Sequence, residues 1–84
     1  MSDWQGLQKR VEAMHGIACD LISSLASQNE LTPQLAIMLT GQIKELFGLL
    51  LAMQRARTDA KLLDRILETL GRIGPAILTF LSEQ

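Results

Sequence analysis

From Trp4 onward, apolar residues recur at Leu7, Val11, Met14, Ala18, Leu21 and Leu25, an unbroken alternation of steps of three and four. A strand would need a period of two, so this seam commits the segment to a helix with one buried edge. Composition agrees: tyrosine is absent, Val11 is the one valine, and aromatic residues make up 4%, poor material for sheets. Ser2 and Gln5 have the Ser-x-x-Gln form of a capping box. The polar run Ser27-Gln28-Asn29-Glu30 carries no stripe, so the first helix is expected over about 3–27.

Thr32 followed by Pro33 predicts an N-cap and the first helical position, where the N–H that proline lacks would be unpaired anyway. The second stripe runs Ala36, Leu39, Ile43, Leu46, Leu50 and Met53, widened by Leu35, Phe47, Leu49 and Leu51. A helix apolar over so much of its circumference must be covered from more than one direction. Extending this stripe by its own period lands on Arg57, Ala60 and Asp64. The third stripe is instead Leu63, Ile66, Leu70, Ile73, Ile77 and Phe80. That phase slip predicts a turn within Arg55–Asp59, with Thr58 or Asp59 capping the next helix. The competing reading is one continuous helix over 33–71 with a local stammer.

The second and third helices are thus expected over about 33–56 and 59–82. Pro75 removes a backbone bond to the carbonyl of Gly71, so the third is expected to kink or break near Gly74-Pro75. The expected fold is all-α: an antiparallel, up-down-up three-helix bundle forming a single domain over 1–84. Met14, Met38 and Met53 are read as core filler.

At 84 residues such a bundle buries only about 60–65% of its unfolded surface. The thirty-one residues from Ala13 to Ile43 carry two charges, Asp20 and Glu30. Charge depletion beside a broad apolar stripe is the compositional mark of an interface core. The bundle is therefore expected to dimerise into a larger helical assembly. Gly41 and Gly48, seven apart and so on nearly one face, mark a place where another backbone could approach. The expected interface, with itself or a partner, comprises Leu35, Gly41, Phe47, Gly48 and Leu51, together with Leu78 and Leu81. The last two lie in the ten uncharged residues between Arg72 and Glu83, a short apolar tail suited to docking.

Catalytic chemistry finds no constellation. His15 and Cys19 share a helix face, but no second His or Cys completes a zinc site, and no phosphate-cradling glycine pattern occurs. The scattered carboxylates read as solvated surface. We expect neither an enzyme nor a cofactor or metal. Arg55, Arg57, Lys61, Arg65 and Arg72 form the one basic concentration, diluted by Asp59, Asp64 and Glu68 to a net +2. This face carries the second reading, a nucleic-acid-binding transcriptional regulator. Its alternative is a salt-bridged surface built on Lys61–Asp64, Asp64–Glu68–Arg72 and Arg65–Glu68 at helical spacing.

The start, Met1-Ser2-Asp3-Trp4, has an acid where a signal peptide has a basic region. The longest charge-free run, thirteen residues between Glu30 and Lys44, falls short of the roughly eighteen a bilayer span needs. A cytoplasmic protein with no transmembrane segment is expected. The functional expectation is a non-enzymatic helical interaction module: a homodimeric regulator, inhibitor, chaperone or adaptor acting on another, unidentified protein.

Overall fold

The computed structural model describes residues 4–55 and 60–82. They form three helices, α1 (Trp4–Ser27), α2 (Pro33–Arg55) and α3 (Ala60–Ser82), and no strand is found among the described residues. Ser2, Arg57, Thr58 and Asp59 lie outside the described residues, and with them the first capping box and most of the expected second turn. A single helix over 33–71 would measure about 58 Å, whereas the longest dimension of the molecule is 44 Å.

The α1–α2 connection is built by local chemistry. Asn29 takes the left-handed backbone (φ 57°) after the last turn of α1. Its N–H bonds the Ala26 carbonyl at 3.2 Å, and that of Glu30 bonds the Leu25 carbonyl at 2.8 Å. Those two bonds are a Schellman closure, and asparagine is the residue after glycine that best tolerates its left-handed position. Three residues on, the Thr32 Oγ1 accepts from the Leu35 N–H at 3.2 Å. The Ala36 N–H donates to the Thr32 carbonyl at 2.9 Å, making Thr32 the N-cap and Pro33 the first helical residue.

Among the described residues the core falls into two clusters. The first joins Val11 and Ala18 of α1, Leu46, Leu49 and Met53 of α2, and Leu62, Ile66, Ile73 and Ile77 of α3. The second joins Leu21, Leu25 and Leu39, with Leu31, Leu35 and Phe80 packed at its edge. The seam of α1 is buried where its spacing places it, with Trp4, Leu7 and Met14 half-buried against the first cluster.

Three expectations are corrected. The buried edge of α3 begins at Leu62, with Leu63 turned outward, and takes in Thr69 and Gly74. Ile66, Ile73 and Ile77 are buried as their spacing places them, while Leu63 and Leu70 each stand one place beyond the buried Leu62 and Thr69, because small and polar residues share the stripe. α3 also does not break at Pro75, which sits inside a continuous helix. Gly71, four residues earlier, offers no side chain to the proline ring. Gly71 and Pro75 are both exposed, so water can take the carbonyl bond that Pro75 lacks. Among the methionines, Met53 is core and Met14 half-buried, but Met38 is exposed.

Candidate docking surface

The outward side of α2 is set by a seven-residue step. Ile37, Lys44 and Leu51 share one line, and Gly41, Gly48 and Arg55 share the next; all six are exposed. Phe47 adjoins them with 51% of its surface open. A side chain built at either glycine would meet nothing within 4 Å, so packing inside this chain does not require them. Each costs a helix interior about 0.5–1 kcal/mol relative to alanine. Of the expected interface residues, Gly41, Phe47, Gly48 and Leu51 lie on this side. Leu35 instead packs half-buried on the second core cluster, where it serves the fold. Leu78 and Leu81 are exposed on α3. Sequence reasoning missed Ile37, Leu63 and Leu67, all exposed; the seven-residue step from Ile37 was the available signal.

Two shallow grooves border the α2 face. One is lined by Ile37, Thr40, Gly41 and Lys44 beside Ala36. The other, between α2 and α3, has a floor of Gly48, Leu51, Ala52 and Leu62 and a rim of Arg55, Lys61 and Arg65. The charged residues lining these grooves are all basic. Arg72 is set apart from them: its guanidinium pairs with Glu45 across the helices, rather than with Glu68 along α3. Thr69, nearly buried, donates to the same Glu45 Oε1 at 3.5 Å. The basic concentration in the sequence is thereby divided between a groove rim and an interhelical ion pair, with Arg57 outside the described residues.

His15 and Cys19 do meet: the sulfur lies 4.0 Å from both ring nitrogens. Both side chains are half-buried, and the imidazole tilts against Phe47 at a centroid distance of 6.0 Å. Cys19 is a free thiol. Among the described residues no three of His, Cys, Asp and Glu converge as metal ligands would. The Oε1 of Gln42 is buried without a hydrogen-bond partner.

By length and composition α2 could cross a membrane: an 18-residue window reaches a mean hydropathy of 1.5 with 17% of it buried. The charge-free run underestimated this segment, because it stopped at Lys44 while the apolar character resumes beyond Glu45. Comparison with protein-family models, curated proteins and solved structures returned no match.

Proposed function

We propose that this chain is a non-enzymatic protein-interaction module, a homodimeric regulator, inhibitor, chaperone or adaptor that acts by binding another protein. The observation that carries the reading is the outward side of α2, apolar and glycine-notched beside a groove rimmed by Arg55, Lys61 and Arg65. A partner helix with an apolar stripe and acidic edges fits it. Gly41 and Gly48 let the partner backbone come close, and the leucines fill its apolar side. Basic residues at the rim steer such a partner more than they hold it.

The arrangement we favour is up-down-up with antiparallel neighbours. Its support is that Leu25, near the end of α1, shares a cluster with Leu39, near the start of α2, while Val11 clusters with Leu49 and Met53. Phe80, near the end of α3, packs against the cluster formed by Leu21, Leu25 and Leu39. We place the module in the cytoplasm, with α2 docking rather than spanning a bilayer. Glu45, in mid-helix, is tied to Arg72 and Thr69 of α3, a use of the carboxylate that suits a packed water-soluble bundle.

A second reading, nucleic-acid binding through the basic stretch Arg55, Arg57, Lys61 and Arg65, draws on the rim residues Arg55, Lys61 and Arg65. It is weakened by the leucine floor and by the commitment of Arg72 to Glu45. Affinity capture from the native host with wild-type and Gly48→Glu chains tests the first reading. A protein retained by the former and lost from the latter, at equal helical content, supports it. Duplex DNA binding that falls steeply with salt, with no such protein, would replace it by the second.

A further inference from the structure

We propose that a second copy of this chain docks on the outer side of α3, about a two-fold axis between Gly71 and Gly74. The proposal deepens the homodimer reading above, on which it rests, by assigning the dimer to a surface other than the α2 face. Its basis is a second stripe on α3 beside the buried one. Leu63, Leu67, Leu78 and Leu81 are 36, 50, 62 and 41% exposed. Leu67 and Leu78 are eleven residues apart, three helical turns, and so share a line. Leu67 faces a groove shared with Arg10, Ala13 and Met14 of α1, away from the side of α3 that meets α2.

The order of these residues is what selects the occupant. Leu63 and Leu81 lie equally far from position 72, and Leu67 and Leu78 from a point half a residue beyond it. An isologous contact needs such self-complementarity, in which residue i meets j and j meets i. Two α3 helices packed antiparallel would set Leu63 on the partner's Leu81 and Leu67 on the partner's Leu78. At the waist two glycines notch the outer side of α3, beside Leu70, which lines the same groove as Leu67. Gly71 is exposed, with nothing within 4 Å of an added Cβ, and Gly74 is overlain by Met14, whose Cε would stand 3.4 Å from one. Asp64 and Glu68, on the flank, would face Ser82 and Thr79 of the second copy, so neither carboxylate meets a like charge.

Area gives the second argument. A monomer of 9.3 kDa is expected to expose about 5,000 Å². This chain exposes 5749 Å², an excess of roughly 750 Å² shared between this stripe and the α2 face, against about 800 Å² per partner in a standard interface.

Sedimentation equilibrium at micromolar concentration, with circular dichroism for helical content, tests the assignment. Wild type should weigh twice 9.3 kDa. Leu67→Glu should be a helical monomer, and Leu67→Glu/Leu78→Lys in one chain should dimerise again, because each Glu then meets the other copy's Lys. Within one chain those positions are about 16 Å apart and cannot pair. Gly48→Glu should remain dimeric. Should Leu67→Glu unfold, oxidation of Leu67→Cys/Leu78→Cys in a Cys19→Ser background decides: intermolecular crosslinking supports the axis, and its absence overturns it. A dimer that survives Leu67→Glu but is lost with Gly48→Glu overturns the surface while leaving the homodimer reading intact. A monomeric wild type overturns both.

Discussion

Thr32 holds the start of α2 with one side-chain oxygen, accepting from the Leu35 N–H, and its loss should be felt as a single missing cap. Thr32→Ala is expected to lower unfolding stability by about 1 kcal/mol, read from urea melts at unchanged slope. Gln42 presents the opposite case, a buried Oε1 with no partner. An unsatisfied buried acceptor costs about 1–3 kcal/mol, and methionine has nearly the same length and shape. Gln42→Met should therefore raise the urea midpoint, by about 1 kcal/mol in stability after the lost solvation of the amide's other end; a lower midpoint would mean the oxygen is hydrated. Of these features, the Thr32-Pro33 cap was legible in sequence because proline after a hydroxyl residue has few other uses. Asn29 was not singled out within its polar run: asparagine suits the left-handed position, but which residue takes it depends on where the last turn of α1 closes. The idle oxygen of Gln42 depends on neighbours brought from elsewhere in the fold.

At the scale of the element, α3 shows how far periodicity carries. The seam of α1 could be read directly because its spacing has no rival. α3 carries two apolar stripes side by side, one through Ile66, Ile73 and Ile77 and one through Leu63, Leu67 and Leu78. A one-dimensional pattern cannot say which of two adjacent stripes meets the core, so Leu63 was assigned to the wrong one. The break expected at Pro75 is absent for a related reason: its backbone defect falls on an exposed side, while Ile73 and Ile77, both buried, anchor the helix on either side. Pro75→Ala restores an N–H able to bond the Gly71 carbonyl and should stabilise the protein by about 1–3 kcal/mol, measurable as a higher melting temperature. A drop instead would show that the outer surface needs the proline's shape. Core truncations should grade with burial: Leu46→Ala, at a fully buried position of the larger cluster, should cost about 3–5 kcal/mol. Leu21→Ala, at the edge of the smaller one, should fall nearer 2.

Among the described residues, the α2 face with its basic rim and the leucine stripe of α3 both leave apolar surface in water. Sequence showed the surplus, through charge depletion and leftover leucines, but not its division. Leu51 and Leu78 looked alike in composition and lie on different sides of the structure, because the phase of each helix relative to its neighbours is a tertiary property. If the α3 stripe joins two copies, unfolding breaks a bimolecular complex and stability must depend on concentration. Each tenfold rise in protein adds about 1.4 kcal/mol to the unfolding free energy per dimer. For a cooperative unit of that combined size, this corresponds to a melting temperature higher by about 3–6 °C. Leu67→Glu should abolish the dependence. Gly48→Glu should leave it in place, since in our assignment the α2 face is reserved for the other partner. A wild-type melting temperature constant across a hundredfold range would mean that the folded chain stands alone and that both surfaces await other proteins.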